Sequence, residues 1–372
     1  MAAHTGARDD KSVEPLELFF DLVFVFALTQ VTARLAGDLS WAGLGRGLLI
    51  LASIWWAWAA YSWLTNEVDC RLREVRLVIF ASMICMLIAS LAIPGAFEED
   101  ALLYAAAYLG VRVLHVALFL AGTDDLDVRA AARALTPTAV LAPALLLVAS
   151  AFDGSAQILI WVVALTIDYV GGALRGIEGW RLSPGHFAER YGLIVIIALG
   201  ESIVAIGVGA EDVSLGAGAL VSAALGVVVS ACLWWLYFDP ALEAVEHRLQ
   251  AASGAARNLL ARDAFPFIHL PLVAGIVLLA LGVKKTLGEV DGSLKTVSAV
   301  ALCGGTALFL LSDVAFRLRA LGVLEVPRVL AAAACVALIA LAGVAVAPVL
   351  LAGVAVVCVA LVVYEAGVMI AP

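Results

Sequence analysis

The chain has 372 residues, of which 64% are hydrophobic and 14% are charged, and its formal net charge at pH 7 is -9. Soluble globular domains carry about 25% charged residues, so the composition excludes a soluble protein, and the absence of a basic footprint excludes nucleic acid as a partner. The apolar residues form long blocks, which makes the lipid bilayer the expected partner. The sequence therefore predicts an all-α polytopic membrane protein.

Twelve apolar segments follow one another along the chain, each close to the roughly 17 to 25 residues that a helix needs to cross a bilayer. We therefore predict about twelve transmembrane helices. Two of the segments, 136–151 and 157–174, are short for a hydrocarbon core of about 30 Å. In chain order, the predicted spans are 17–36, 43–64, 76–94, 101–121, 136–151, 157–174, 190–210, 215–238, 264–284, 296–315, 329–346 and 349–368.

The two halves of this series share features that indicate an internal duplication. Spans one and seven are each entered through a glutamate, Glu17 or Glu189, and spans two and eight each contain a Trp-Trp pair. Many transporters are built from repeated bundles, with chance similarity between apolar segments as the alternative. We predict two parallel six-helix repeats. The resulting organisation is a cytoplasmic N-terminal tail 1–16, a first six-helix half 17–174, a cytoplasmic linker 175–189, a second half 190–368 and a cytoplasmic C-terminal tail 369–372.

The loops predict the orientation of the spans, because cytoplasmic loops collect Lys and Arg. With the N-terminus inside, fourteen arginines fall on the cytoplasmic side and five basic residues on the other. Both termini are therefore expected in the cytoplasm. The cytoplasmic set is Arg71, Arg73, Arg76, Arg129, Arg133, Arg175, Arg181, Arg190, Arg248, Arg257, Arg262, Arg317, Arg319 and Arg328, and the opposite set is Arg34, Arg46, Lys284, Lys285 and Lys295.

Ionisable residues at membrane depth are the candidates for function, because they are costly to bury and mark ion or substrate pathways. Glu201, near the middle of the seventh span and followed by Ser202, is the first candidate for proton or cation coupling, with a structural hydrogen bond as the alternative. Glu17 and Asp21 lie four residues apart on one helical face and are assigned to the same pathway. Their alternative role is helix capping, since carboxylates are stabilised at a helix N-terminus.

A second polar group lies at the entrance of the seventh span and comprises His186, Glu189 and Arg190. We assign these residues to a cytoplasmic gate or to an alternative acid/base site, with an interfacial ion pair as the plainer explanation. His269 and Asp313 rank lower, as does Ser202. For His269, which precedes Pro271 by two residues, a buried neutral imidazole bonded to a neighbour is the competing interpretation.

A polar stripe runs along the fourth span, where Tyr108, Arg112 and His115 fall at helical spacing. Arg112 is the one arginine placed well within a predicted span, and Asp168, deep in the sixth span, is its expected partner. Arg112, His115 and Asp168 are therefore predicted to belong to the coupling or substrate pathway. A pair that only fixes the order of the helices is the alternative.

Several of these stretches together resemble the bacterial low temperature requirement A (LtrA) family. The resemblance rests on ELFFDLVFV at 17–25, HFAERYG at 186–192, ALGESI at 198–203, WWLYFD at 234–239 and HLPL at 269–272. Tyr191 departs from the pattern, in which Phe is at least as frequent. The resemblance implies a multi-pass protein of the bacterial cytoplasmic membrane and supplies neither substrate nor mechanism.

The residues themselves favour a proton- or cation-coupled secondary transporter of an unidentified small solute. No Walker A loop, dinucleotide-binding glycine motif, zinc-protease motif or nucleophile elbow occurs in the sequence. We therefore assign no catalytic or metal-binding residue and expect no cofactor. The alternatives are an intramembrane enzyme acting on a lipid or other apolar substrate at a cytoplasmic-face acid/base or metal site, and a structural or sensory membrane protein. Homo-oligomerisation is compatible with each.

Overall fold

A computed structural model describes residues 12–174, 179–211, 213–239 and 241–370 of the chain. Most of the predicted N-terminal tail, the first four residues of the predicted linker with Arg175, and the last two residues of the predicted C-terminal tail lie outside the described residues. The described residues form helices joined by turns and irregular connections, and their β-type pairing is limited to an isolated bridge between Ser293 and Val346.

Fifteen α-helices are formed by the described residues, together with two π-helical segments and one 3-10 turn. The π-helical segments are Asp263–Phe267 and Val300–Gly304, and the 3-10 turn is Ile339–Leu341. The α-helices are α1 Pro15–Gly37, α2 Trp41–Glu67, α3 Arg73–Leu91, α4 Ala101–Ala121, α5 Leu126–Ala149, α6 Gly154–Leu174, α7 Pro184–Ala210, α8 Ala217–Phe238, α9 Ala241–Ala251, α10 Gly254–Arg262, α11 Ile268–Gly288, α12 Thr296–Ala299, α13 Gly305–Leu321, α14 Val326–Leu338 and α15 Ala347–Ile370.

The all-α polytopic membrane architecture predicted from the sequence is confirmed. Within the described residues, 11 helical stretches are long and apolar enough to cross a membrane, and Val326–Leu341 is a shorter apolar helix. The fifth span, predicted at 136–151, is longer than expected: α5 begins at Leu126, after Asp125 has capped its first turn. The two six-helix repeats and their boundaries stay predictions.

The chain forms two compact units. The described part of unit 1 comprises 12–34, 45–174, 179–191 and 249–262. Its helices α3 to α6 pack in sequence, each against the next. Ion pairs involve both ends of α1: Arg71, after α2, pairs with Glu14 at 2.8 Å, and Arg34, late in α1, pairs with Glu98 at 2.9 Å. The start of α1 therefore lies beside the connection that leads into α3, and its end lies beside the connection that follows α3.

Unit 2 is built around α11, the most extensively buried helix of this unit. Its described part comprises 35–44, 192–248 without residues 212 and 240, and 263–370. Helix α11 packs through glycines against α13 and the π-helical segment before it: a Cβ on Gly275 would lie 2.6 Å from the carbonyl oxygen of Gly305, and one on Gly282 would lie 2.5 Å from the Cα of Leu302. Small residues at such contacts let helix backbones approach closely in a membrane.

We expect Gly275→Ala to destabilise the protein, because its new methyl group would meet main-chain atoms of α13 that cannot move aside. Overpacking of this kind costs about 1–3 kcal/mol. The measurement is the unfolding midpoint in mixed micelles on titration with SDS. Gly207→Ala is the matched control, since a Cβ there meets nothing within 4 Å. Equal midpoints for the two variants would contradict the close α11–α13 contact.

Candidate functional site

The first turns of α1 and α7 each present two ionisable residues at a spacing of four, which places each pair on one helical face. Helix α1 offers Glu17 and Asp21, and α7 offers His186 and Arg190. All four side chains lie in unit 1 and are buried, with at most 1% of the residue surface exposed. We refer to these four residues as the α1–α7 ion cluster.

The contacts within the α1–α7 ion cluster join each acid to a base. His186 Nε2 lies 3.0 and 2.9 Å from the two carboxylate oxygens of Glu17. Arg190 donates to both oxygens of Asp21, from Nη1 at 3.0 Å and from Nη2 at 2.9 Å. The indole N–H of Trp58 donates to Asp21 Oδ1 at 2.8 Å. The Arg190–Asp21 pair thus has the bidentate geometry of strong charge-assisted hydrogen bonds.

Local sequence explains how α1 places its two acids. Pro15 occupies the first helical position, where its missing N–H costs no hydrogen bond. Glu17 then reaches back, and its Oε2 accepts from the backbone N–H of Glu14 at 2.9 Å, as the acid of a capping box does. The capping role considered for Glu17 is therefore present, and its carboxylate serves the helix end and His186 together.

The charges of the α1–α7 ion cluster do not balance when His186 is neutral. Two carboxylates then face one guanidinium, whose Nε lies 3.8 Å from Glu17 Oε1. A charge held away from water must be paired or neutralised, because its desolvation costs several kcal/mol. Uptake of one proton by the His186–Glu17 pair makes the cluster neutral. The charges of the cluster therefore sum to zero only when the His186–Glu17 pair holds one proton.

Glu189 does not join its predicted neighbours. Its side chain is exposed, and its Oε2 accepts from the backbone N–H of Val13 at 3.2 Å. The predicted group of His186, Glu189 and Arg190 is thus divided between a buried face and an exposed face of α7.

Arg112 and Asp168 form a second buried pair within unit 1. Arg112 Nη2, on α4, donates to Asp168 Oδ1, on α6, at 2.8 Å, and each residue is 2% exposed. The pairing expected from the sequence is therefore present. His115, one turn after Arg112, lies with Nε2 3.1 Å from the carbonyl oxygen of Ala60. Arg112 Nε and Nη1, Asp168 Oδ2 and His115 Nδ1 have no hydrogen-bond partner within the described residues.

Glu201 and Ser202 are both buried, at 2% and 1% exposure. They lie on the part of α7 that belongs to unit 2, whereas Arg190 lies on the part that belongs to unit 1. Ser202 Oγ has no hydrogen-bond partner among the described residues. The structure thus places Glu201 away from bulk water, as its predicted role requires, and the role itself stays a prediction.

His269 is fully buried in unit 2 and is bonded at both ring nitrogens. Nδ1 lies 2.9 Å from the carbonyl oxygen of Ala264, and Nε2 lies 2.8 Å from the hydroxyl of Tyr237. Ala264 belongs to the π-helical segment Asp263–Phe267, where the wider turn frees carbonyl groups. A donating Nδ1–H and an accepting Nε2 satisfy both contacts, so His269 is suited to holding this turn in place.

Asp313 lies at the centre of a buried network in unit 2. Its Oδ2 accepts from Arg317 Nε at 3.1 Å and from Arg328 Nη1. Arg328 also donates to both oxygens of Glu365, at 2.8 and 2.7 Å. Both arginines donate to the carbonyl oxygen of Leu236, near the end of α8, at 2.8 and 3.0 Å. The network ties α8, α13, α14 and α15 together.

Sequence reasoning missed three residues of these networks. Trp58 lies in an apolar stretch of α2, and nothing in its surroundings in the sequence indicates its bond to Asp21. Arg317 follows Asp313 by four residues, a spacing that indicates an ion pair on one helix. Arg328 lies where α14 begins and was assigned to a loop, so its burial has no signal in the sequence.

Among the described residues, no group of three His, Cys, Asp or Glu side chains is placed to bind a metal ion.

Comparison with known proteins identifies relatives of the whole chain. The family model of bacterial low temperature requirement A protein (LtrA) matches residues 12–363. A curated protein of Rhizobium meliloti (strain 1021), described as uncharacterized, is 29% identical over 306 residues, which cover 79% of this chain and 74% of that protein. No solved structure matches the chain.

We expect Arg190→Met to destabilise the protein by about 3–5 kcal/mol, because it leaves Asp21 buried without its cation. The unfolding free energy in mixed micelles measures this change. The matched control is Arg71→Met, which removes an arginine whose side chain is 75% exposed in its pair with Glu14, and which should leave the midpoint unchanged. Adding Asp21→Leu to Arg190→Met should restore most of the lost stability. A fully stable Arg190→Met variant would contradict the pairing.

Proposed function

We propose that this chain, which belongs to the bacterial low temperature requirement A protein (LtrA) family of membrane proteins, is a proton-coupled secondary transporter of a small solute. The α1–α7 ion cluster is the proton-coupling site of this proposal. Glu17 and His186 exchange the proton, while Arg190 and Asp21 hold the two helices together around them.

One observation carries the proposal: a fully buried imidazole lies within 3.0 Å of both oxygens of a buried carboxylate. If ion pairing only had to fasten α1 to α7, the Arg190–Asp21 pair would suffice, since each partner neutralises the other. The His186–Glu17 pair adds a group whose charge changes with one proton. Ionisable groups of this kind within membrane proteins mark proton relays in pumps and transporters.

The position of Glu189 favours transport over the enzyme alternative. That alternative required His186, Glu189 and the acids of α1 to converge on a cytoplasmic-face site, and Glu189 is instead exposed and bonded to Val13. Glu201 remains a second candidate in the proposed pathway, through its burial at depth in α7.

We also propose that the protein lies in the bacterial cytoplasmic membrane with both termini in the cytoplasm. The support is the excess of arginine in the connections assigned to that side. Two of those connections, before α1 and after α2, are joined by the Arg71–Glu14 pair at 2.8 Å. An oligomer is compatible with this arrangement, and no contact in a single chain bears on it.

We expect the His186 side chain to take up a proton reversibly as pH falls, while the protein stays folded. The measurement is nitrogen NMR of histidine-labelled protein in lipid nanodiscs, with the signal assigned by its loss in His186→Gln. His269 is the internal control, since both of its ring nitrogens are bonded to neutral groups and its signal should stay unchanged. A His186 signal that reports one protonation state at every pH at which the protein is folded would overturn the proposal.

The same site should control flux in proteoliposomes that contain a pH-sensitive dye. Wild-type protein is challenged with amino acids, polyamines, sugars and carboxylic acids, and the active solute should move protons with it. Glu17→Gln should reduce that proton movement to the level of empty vesicles, because the pair can no longer exchange a charge. Glu189→Gln alters an exposed carboxylate on the turn of α7 that carries His186, and this variant should retain the proton movement. Equal loss in both variants contradicts a specific role for Glu17.

Orientation is tested separately by reporter fusions at the C-terminus. A cytoplasmic C-terminus predicts a fluorescent green fluorescent protein fusion and an inactive alkaline phosphatase fusion. The opposite pair of results would show that the arginine-rich connections face outward.

A further inference from the structure

We propose that Arg112 and Asp168 form the binding site of a small zwitterion, a molecule that carries one carboxylate and one ammonium group. The inference names the class of substrate of the proposed transporter. That the zwitterion is transported rests on the proposed function. Binding itself does not, since it can be measured without a gradient.

The first argument is that this buried pair is incompletely bonded. Arg112 uses one of its three guanidinium nitrogens on Asp168, and Asp168 uses one of its two oxygens on Arg112. Arg112 Nε and Nη1 and Asp168 Oδ2 have no partner among the described residues. Buried polar atoms are nearly always hydrogen-bonded, because an unpaired group forfeits its hydration.

Another pair in the same unit shows what a structural pin looks like. Arg190 and Asp21 share two hydrogen bonds, and Trp58 adds a third to the carboxylate. Asp168 also bonds to the side chain of Trp56. Arg112 and Asp168 nevertheless share one hydrogen bond where Arg190 and Asp21 share two. Arg112 Nη1 and Asp168 Oδ2, which have no partner among the described residues, are therefore free to bond a third group.

The hydroxyls around the pair are already bonded elsewhere. Tyr108 donates to the carbonyl oxygen of Ser53 at 3.0 Å, and Tyr169 donates to that of Ala52 at 2.8 Å. Tyr61 donates to Ser82 Oγ at 2.5 Å. These tyrosines therefore supply a fixed aromatic lining and leave the recognition of a bound molecule to the charged pair.

His115 adds an acceptor to the site. Its Nε2 lies 3.1 Å from the carbonyl oxygen of Ala60, so this nitrogen carries the hydrogen in the neutral ring. Nδ1 is then an acceptor for which the described part of the chain supplies no partner. The site as a whole offers donors at Arg112 Nε and Nη1 and acceptors at Asp168 Oδ2 and His115 Nδ1.

Charge selects the class of molecule that fits these atoms. The Arg112–Asp168 pair is already neutral, so a bound anion or cation would leave a net charge buried, at a cost of several kcal/mol. A zwitterion adds no net charge, and each of its groups gains a charge-assisted hydrogen bond. Its carboxylate accepts from Arg112, and its ammonium group donates to Asp168.

Helix α2 contacts both this site and the proposed proton site. Its carbonyl groups at Ala52, Ser53 and Ala60 accept from Tyr169, Tyr108 and His115. Trp58, on the same helix, donates to Asp21 in the α1–α7 ion cluster. Binding of the zwitterion and uptake of the proton therefore act on one shared element.

The experiment measures binding to the full chain in lipid nanodiscs, by the shift of its unfolding midpoint, with the twenty common L-amino acids as probes. The amino acid with the largest shift is then compared with its amide, which is a cation, and its N-acetyl derivative, which is an anion. A ligand that binds only the native state raises the midpoint by mass action. We expect the zwitterion alone to raise it. No shift with any amino acid, or an equal shift with either derivative, overturns the proposal.

Variants test whether the response comes from this pair. Arg112→Lys keeps a positive charge beside Asp168 and removes the unpartnered guanidinium donors, so it should fold and lose tenfold or more in affinity. Arg112→Met combined with Asp168→Leu removes both charges, leaves no unpaired ion, and should abolish binding. The control Arg319→Lys changes an exposed arginine that pairs with Asp263 in unit 2 and should bind as wild type does. Unaltered binding in the double variant overturns the assignment.

Failure of this inference and failure of the proposed function are distinguishable. If a zwitterion binds but His186 keeps one protonation state, the site stands and proton coupling falls. If His186 takes up a proton but no zwitterion binds, the coupling site stands and this assignment falls.

Discussion

The protein depends on one physical constraint: a charge held away from water must find its counter-charge within the chain. Desolvation costs several kcal/mol per ion, and the buried pairs meet this cost by joining helices that are distant in sequence. Arg190 and Asp21 are separated by 169 positions, and Arg112 and Asp168 by 56. Apolar side chains gain little free energy when they exchange contacts with lipid for contacts with another helix. Buried ion pairs therefore contribute strongly to the choice of which helices pack together.

The buried pairs differ in the number of hydrogen bonds that the two partners share. Arg190 and Asp21 share two hydrogen bonds. Asp313, in unit 2, is bonded by two arginines, which also hold the end of α8. Arg112 and Asp168 share one bond and leave polar atoms unpaired. Asp313 Oδ1 and Arg190 Nε also have no partner among the described residues, but the Arg112–Asp168 pair leaves three such atoms, Arg112 Nε and Nη1 and Asp168 Oδ2.

The sequence predicted most of the fold, because apolar blocks of membrane length leave few alternatives to a helix. It located the start of α5 too late, since Arg129 and Arg133 lie within the first turns of that helix and not in a loop. The Arg112–Asp168 pair was predictable, because an arginine deep in a span requires an acid. The burial of Arg328 was not predictable, because an arginine near a helix end is counted as a loop residue whether its side chain is buried or exposed.

The site was predictable as a set of residues but not as a set of contacts. Spacing showed that Glu17 and Asp21 share a face of α1, and it placed His186 and Arg190 at the entrance of α7. Only the packing of α1 against α7 shows that each acid faces one of these bases, and that Glu189 faces outward. Adjacent residues of a helix point about 100° apart. Glu189 and Arg190 therefore face different surroundings, although they are neighbours in the sequence, whereas Arg190 meets an acid of a distant helix.

The proposed proton site and the proposed zwitterion site obey the same charge rule. The α1–α7 ion cluster carries one excess negative charge when His186 is neutral, and a proton removes it. The Arg112–Asp168 pair is neutral, and a zwitterion leaves it so. Neither loaded site therefore holds a net charge, which is the state that a low-dielectric interior favours. A transporter that carries a zwitterion and a proton in this form avoids the energetic barrier of an unpaired ion at membrane depth. Because α2 contacts both sites, binding of the zwitterion and uptake of the proton act on the same helix.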